Sequence, residues 1–272
     1  MVEGFNTSDL NWGTANAQTV TLSFWVRSSL TGTFGGAINN YGSYNRSYPF
    51  SYTINSANTW EYKTVVIPGD QSGTWTGATN NGSFIIGFGL GVGSTYSGAA
   101  GAWTGGNLKS ATGATSVVGT NGATFYITGV QLEKGSVATP FEFRPYGTEL
   151  ALCQRYYENS FGIGTAPADG SAQSFCGGAM AVTAYAGNTM RTIMFNYAVP
   201  KRATPTVTLY RPGTIAKANT LAYYSGAWGP MTTSSIETFG APTLSFQVRS
   251  GAASSVGVAY MIDGGWAANA EL

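Results

Sequence analysis

The chain has 272 residues, of which 43% are hydrophobic and only 9% are charged, and its formal net charge is +1. This length holds one large β-domain or two domains of ordinary size, and the hydrophobic content excludes a disordered chain. The basic residues are scattered, so no basic stripe predicts nucleic-acid binding. No apolar run reaches the roughly 18 residues of a transmembrane helix, so we predict no membrane insertion.

Uncharged polar residues must cover the surface, because charged residues normally make up about a quarter of a chain. Such a surface suits an extracellular or particle-bound protein that meets neutral partners, sugars above all. The sequence has no histidine, which excludes Ser-His-Asp and Cys-His catalysis and removes the imidazole ligands of zinc. The two cysteines, Cys153 and Cys176, make no disulfide framework, and we expect two buried, reduced thiols.

Alternating apolar and polar residues predict a chain made mostly of β-strands. The pattern is clearest in residues 19–28, where four apolar residues from Val20 to Val26 share one face while Trp25 and Arg27 share the other. The predicted strands of the first half are 19–28, 49–54, 61–67, 83–90 and 124–133. Those of the second half are 178–186, 192–199, 206–210, 243–249 and 255–262.

The Gly-, Ser- and Asn-rich segments 32–45 and 91–122 are predicted as long loops, which in compact domains are usually functional or mobile. Residues 138–147 contain two prolines and bulky aromatic residues, so we place a domain boundary there. The predicted domains are 1–147 and 148–272. The predicted fold is all-β, with two β-sandwich, jelly-roll-like domains joined by a short helix.

That helix is predicted over residues 149–157, because Leu150, Cys153 and Tyr157 have the spacing of one apolar helix face. One interpretation packs the helix over the junction of the two domains. The other places Leu150, Tyr156 and Tyr157 at a subunit interface.

Three sequence blocks of the first half occur in a characteristic order: residues 22–28 (LSFWVRS), residues 58–70 with NTWEYKT and IPGD, and residues 125–133 (FYITGVQLE). Together they resemble a carbohydrate-binding-module-like jelly roll found in tail-fibre and minor structural proteins of tailed phages. The resemblance covers about residues 3–158. Residues 195–208 (FNYAVPKRATPTVT) resemble the small β-domains that end tail fibres.

This resemblance implies a virion structural protein, a tail-fibre or spike component that attaches to host-cell surface glycans without catalysis. It implies assembly in the bacterial cytoplasm, exposure on the particle, contacts with other virion proteins and a homotrimer. The closing strand carries no carboxylate at Thr128 or Gly129, where related modules place a calcium ligand, so we predict no metal and no cofactor. A jelly roll has about eight strands, one or two of which would normally precede Glu3, so we expect either a trimmed domain or a chain that is part of a longer fibre.

Aromatic side chains are the candidate ligand-binding residues, since the C–H face of a sugar stacks on a ring while its hydroxyl groups bond to polar neighbours. The alternative for each ring is that it pins a loop or packs in the core. The candidates are Tyr41, Tyr44, Arg46, Tyr48, Trp75, Tyr96 and Trp103 in loop-like sequence, and Trp25 with Arg27 on one strand face.

Two other functions remain open. A purely structural capsid or tail decoration protein, or a connector, would have extensive intersubunit surfaces and no glycan binding. A fibre-borne glycan hydrolase would need two carboxylates about 5–9 Å apart, and the sequence shows no such pair. Glu61 is the one strand-borne acid beside aromatic residues, and its simplest interpretation is an ion-pair partner of Lys63 or Arg27.

Overall fold

A computed structural model describes residues 1–162, 164–170, 180–183, 190–192, 194–211, 221–224, 227–230, 233–237, 242–250, 256–257 and 259–271. The chain divides into two compact units, Met1–Phe143 and Arg144–Glu271. Strands dominate the described residues of both units, which confirms the all-β class. The division lies a few residues before the predicted boundary at 147, and Cys176 lies outside the described residues.

The first unit is built of ten strands and three short 3-10 helices. The strands are β1 (Val2–Glu3), β2 (Val20–Ser28), β3 (Gly32–Asn40), β4 (Arg46–Ile54), β5 (Glu61–Ile67), β6 (Gly82–Gly89), β7 (Ser97–Gly98), β8 (Thr104–Gly105), β9 (Ser110–Ala111) and β10 (Phe125–Lys134). The 3-10 helices are Gly4–Asn6, Ser8–Leu10 and Ser94–Tyr96. Strands β1, β6, β3, β4 and β8 form a five-stranded sheet in that order, β10, β2 and β5 form a three-stranded sheet, and β7 pairs with β9.

The two larger sheets pack face to face around one apolar core, so the first unit is a β-sandwich. The alternation in β2 sends Leu22 and Phe24 inward, where both are fully buried. Phe24 crosses the core and contacts rings of the opposite sheet, with ring centroids 5.0 Å from both Tyr52 and Phe88. The alternate residues of β2, among them Trp25, therefore point to the outer face of the three-stranded sheet.

The predicted loop at 32–45 is wrong over most of its length, because residues 32–40 form the central strand β3. The strand pairs with β4 on one side and with β6 on the other. Its glycines leave space for close neighbours, since a Cβ at Gly35 would collide with Ser110 and Ala111 and one at Gly36 with the ring of Phe50. A glycine-rich composition therefore marked close packing here, not a loop.

The predicted long loop at 91–122 is mostly irregular but lies against the outer face of the five-stranded sheet. Asn39 Nδ2 donates to Leu108 O at 2.9 Å, and Ser47 Oγ donates to Gly106 O at 3.1 Å. The backbone N–H of Gly101 donates to Pro49 O at 2.9 Å. This segment covers its sheet, whereas part of the three-stranded sheet keeps an open outer face.

The described residues of the second unit form one α-helix and eleven strands. These are α1 (Tyr146–Gln154), β11 (Tyr157–Asn159), β12 (Met180–Thr183), β13 (Met190–Arg191), β14 (Phe195–Asn196), β15 (Thr206–Tyr210), β16 (Ala222–Tyr224), β17 (Trp228–Pro230), β18 (Thr233–Glu237), β19 (Ser245–Ser250), β20 (Ala259–Asp263) and β21 (Gly265–Asn269). They form three small antiparallel sheets around a core that includes Leu209, Phe246 and Trp266.

Two basic residues in the segment at 195–208 connect distant parts of the second unit. Lys201 is buried, and its Nζ donates to Gln154 O at 2.6 Å and to a carboxylate oxygen of Glu158 at 2.5 Å. The next residue, Arg202, donates to Ala270 O at 2.8 Å. Two adjacent cations thus tie the start of the unit to its end.

Helix α1 differs from its prediction in position and in packing. It begins at Tyr146 and ends at Gln154, whereas Tyr157 opens strand β11. None of the helix residues is buried, although Leu150 is partly covered, and the interpretation that Leu150, Tyr156 and Tyr157 lie at a subunit interface stays a prediction. Cys153 is a free and exposed thiol, so its predicted burial is also wrong.

Candidate functional site

The outer face of the three-stranded sheet carries three exposed aromatic rings on three adjacent strands. Trp25 of β2 pairs with Tyr62 of β5, and Arg27 of β2 pairs with Tyr126 of β10. The rings keep 44%, 44% and 50% of their surfaces exposed in the order Trp25, Tyr62 and Tyr126. We call these three rings, together with Arg27, the aromatic platform.

Contacts within the aromatic platform hold its members in place. The ring centroids of Trp25 and Tyr62 lie 5.4 Å apart with an interplanar angle of 50°. The guanidinium carbon of Arg27 lies 5.6 Å from the ring centroid of Tyr126, within the range of a cation–π contact. Arg27 Nε is buried and has no hydrogen-bond partner among the described residues. The platform therefore combines apolar rings with one cation on a rigid sheet.

The chain that follows β10 covers part of the same face, around the first residues of β2, whereas Val66 of β5 and Val130 of β10 stay exposed on it. Gln131 Oε1 accepts a hydrogen bond from the backbone N–H of Glu142 at 2.9 Å, and Thr21 Oγ1 donates to Gly135 O at 2.8 Å. Thr21 and Ser23 are consequently buried although they point outward. The cover leaves Trp25 exposed, and the platform is the aromatic part of the open area of this face.

Irregular pairing in β10 places its backbone close to Trp25. The register between β10 and β2 shifts between Thr128 and Gln131, and Gly129 has a φ of +57°. A Cβ added at Gly129 would lie 3.4 Å from Trp25 and 3.7 Å from Phe141. Glycine thus allows the left-handed conformation that lets the strand pass beside both rings.

Glu61, the acid singled out by sequence, is occupied by structural contacts. Its carboxylate pairs with Lys63 Nζ at 2.6 Å and accepts the backbone N–H groups of Asn55 and Ser56 at 2.8 Å. The hydrogen bond from Lys63, then that from Ser56, lowers the pKa of Glu61 to about 2. An acid with this pKa stays ionised near neutral pH, so it cannot donate the proton that a glycosidase needs.

A second concave surface lies in the loops that contain Tyr41 and Trp75. It is an open depression of about 390 Å³ lined by Tyr41, Ser43, Asn45, Thr74, Trp75 and Thr76. We call these six residues the loop depression. Tyr44 lies beside it, with its ring centroid 5.8 Å from that of Tyr41 and edge-on to it.

Trp103 and one face of Trp75 belong to a cluster that fixes the loops. The ring centroids of Trp12, Trp75 and Trp103 lie 4.8–5.3 Å apart. Each indole N–H donates to a backbone carbonyl, at Gln18, Ser72 and Pro68 in the same order. Trp103 is half-buried and holds a loop in place through this cluster, so its ligand contact stays a prediction, whereas Trp75 also reaches the loop depression.

Two further candidates have structural roles. Tyr48 is only 5% exposed and packs against Trp103, so the prediction that it contacts a surface ligand is wrong. Arg46 makes a two-pronged ion pair with buried Asp70, with Nε–Oδ2 and Nη2–Oδ1 distances of 2.7 and 2.6 Å. The hydrogen bond to Asp70 raises the pKa of Arg46 and holds its guanidinium in place, and the ligand contact of Arg46 stays a prediction.

Tyr96 is 51% exposed at the end of a 3-10 helix, and its carbonyl accepts the backbone N–H of Lys109 at 2.7 Å. It lies in neither the aromatic platform nor the loop depression. The structure thus brings together Trp25 with Arg27, and Tyr41 with Trp75. Sequence reasoning missed Tyr126 as a neighbour of Arg27 and Trp25, because only strand register shows that they lie side by side.

Among the described residues, no three potential metal ligands cluster, and no helix has the length and hydropathy required to cross a membrane. Comparisons with family models, curated proteins and solved structures found no match to this chain.

Proposed function

We propose that this protein is a non-enzymatic structural component of a virion, a tail-fibre or spike protein, that attaches to host-cell surface glycans. The observation that carries the proposal is the aromatic platform, in which Trp25, Tyr62 and Tyr126 expose rings on three adjacent strands. The sequence resemblance to phage fibre proteins supports the same function.

The exposure of three aromatic rings on regular strands favours a ligand-binding role for this face. Apolar side chains on the outer face of a sandwich usually give way to polar ones, and a contiguous exposed apolar patch indicates an interaction surface. Neighbouring strands are about 4.8 Å apart, so rings on three strands form a row across the sheet. A row of rings fits a chain of sugar residues better than a single sugar.

Polar groups around the rings supply the hydrogen bonds that sugar hydroxyl groups require. The phenol groups of Tyr62 and Tyr126 and the hydroxyl of Thr128 can donate and accept, while the guanidinium of Arg27 donates. Thr128 lies opposite Trp25 in the sheet. Such a mixture of flat apolar area and a few polar groups is typical of small-molecule sites.

Each platform is expected to bind weakly, because it is open and flat. A homotrimer would present three platforms, and linked sites raise the overall affinity when they can engage together. We therefore propose a homotrimer that binds repetitive polysaccharide and contacts other virion proteins. Glu61, with a pKa of about 2, does not serve as the proton donor of a hydrolase.

The test is a screen of the full chain against neutral host-surface polysaccharides, combined with light scattering and an assay for released reducing ends. We expect binding without release and a mass of three chains. A purely structural connector would bind none of the polysaccharides, and a hydrolase would release reducing ends. Either result would contradict the proposal.

A further inference from the structure

We propose that the loop depression is a second carbohydrate site, which takes a single neutral pyranose ring such as the end of a glycan chain. This inference rests on the proposed function only for the class of ligand, a carbohydrate, because the aromatic platform and the loop depression share no residue. The aromatic platform takes a stretch of chain, and the loop depression takes a terminus.

The strand register separates the two surfaces. Trp25 pairs with Tyr62, whereas Val20 pairs with Ile67 at the other end of the same ladder. The five residue-to-residue steps from Tyr62 to Ile67 carry β5 roughly 17 Å along the sheet. The loop that holds Trp75 begins only after Ile67, so one sugar ring cannot contact both surfaces.

The shape of the loop depression suits a small ligand. Its volume of about 390 Å³ lies at the lower end of the roughly 300–1,000 Å³ of ligand pockets. Tyr41 is 36% exposed, and Trp75 is half-buried against Trp12. Two aromatic walls on a concave surface allow a pyranose ring to stack on one ring while its edge meets the other.

The lining of the loop depression indicates a neutral ligand. None of its six lining residues is charged. The nearby cation Arg46 is paired with Asp70, and Lys109 Nζ lies over the ring of Tyr44 at 5.0 Å and donates to Asn39 at 3.2 Å. Hydroxyl and amide groups recognise sugar hydroxyls without favouring an anion or a cation.

A buried polar network holds the depression open before any ligand binds. Asn40 is fully buried, and its Nδ2 donates to Asn45 Oδ1 at 2.8 Å and to Thr74 O at 3.2 Å. Thr76 Oγ1 donates to Gly82 O at 2.8 Å. Among the described residues no hydrogen bond occupies Nδ2 of Asn45, which leaves two N–H groups for a ligand. Preorganisation of this kind lowers the cost of binding.

Contacts with Gly82 and Tyr44 also fix the position of the Tyr41 ring. A Cβ at Gly82 would lie 2.8 Å from the ring of Tyr41, so glycine lets this ring rest directly on the backbone. Tyr44 has a φ of +48°, an uncommon conformation for a bulky residue. That conformation places its ring edge-on to Tyr41. Backbone strain beside a ligand surface is a recurrent feature of binding sites.

The experiment is a titration of the full chain with methyl β-D-glucopyranoside, methyl β-D-galactopyranoside and N-acetylglucosamine, followed by NMR. We expect at least one of them to bind with millimolar affinity. Tyr41→Ala should weaken that binding at least tenfold. Thr74→Val, which removes only a hydroxyl group, should weaken it about fivefold. Tyr96→Ala, at an exposed ring that lies in neither surface, should leave it unchanged, and Trp25→Ala is made to test the aromatic platform.

Polysaccharide binding by the same variants separates the two proposals. If polysaccharide binds through Trp25 but no monosaccharide binds, the second site is wrong and the proposed function stands. If Tyr41→Ala and Thr74→Val keep full monosaccharide affinity while Trp25→Ala loses it, the second site is also wrong. If monosaccharides bind through Tyr41 and Trp25→Ala leaves polysaccharide binding unchanged, the loop depression is a sugar site and the aromatic platform is not.

Discussion

Replacing Trp25 with alanine should weaken glycan binding strongly while leaving the fold intact. Trp25 exposes 44% of its surface, which is about 110 Å² for a residue of about 250 Å². A sugar ring that covers half of this area, and buries an equal area of its own, removes about 110 Å² from water. At about 25 cal/mol per Å² this contact contributes roughly 2.7 kcal/mol, or about 80-fold in affinity.

Isothermal titration calorimetry with a monovalent oligosaccharide, cut from a polysaccharide that the wild type binds, measures this loss without avidity. The matched control is Phe5→Ala, because Phe5 is also exposed but lies in a 3-10 helix away from the platform. The control should bind like the wild type. If Trp25→Ala bound within twofold of the wild type, or if Phe5→Ala lost as much affinity, stacking on the platform would be refuted.

Three further predictions concern the first unit. Arg46→Ala leaves the buried carboxylate of Asp70 without its partner, so the free energy of unfolding by urea should fall by about 3 kcal/mol, and an unchanged midpoint would contradict the role of this pair. Glu61 has a pKa of about 2 in the fold, below the roughly 4.3 of an unfolded chain. Its stabilising effect should therefore be complete above about pH 5 and lost as the pH falls toward 2, and Glu61→Gln should reduce that acid sensitivity in thermal melts. Gly129→Ala forces a left-handed conformation on alanine, which should cost about 1 kcal/mol in unfolding free energy and shift the NMR signal of the Trp25 indole N–H, whereas unchanged stability would contradict the need for glycine there.

Sequence patterns predicted the strands whose two faces differ. Strand β5 was predicted with its observed bounds, Glu61–Ile67, and β2 to within one residue. Strand β3 was missed because both of its faces are covered, so its small residues, such as Gly35 and Gly36, show no alternation and resemble a loop. Periodicity reports a difference between faces, not the presence of a strand.

The candidate site was only partly predictable for a related reason. Trp25 and Arg27 were predicted to share a face because side chains two residues apart in a strand point the same way. Tyr62 and Tyr126 join them through sheet order, which brings together residues far apart in the sequence. Tyr48, which lies in strand β4, and Trp103 were indistinguishable by composition from the loop residue Tyr41, because burial depends on contacts with distant segments. Contacts between distant segments therefore decided which rings could meet a ligand.

The most direct test of the central claim is an NMR map of tryptophan indole N–H signals in the wild-type chain during titration with a bound oligosaccharide. The account predicts a shift of the Trp25 signal, whereas the Trp12 and Trp103 signals, whose N–H groups bond to backbone carbonyls, should stay in place. A ligand that bound without moving the Trp25 signal would contradict the platform as the glycan-binding surface.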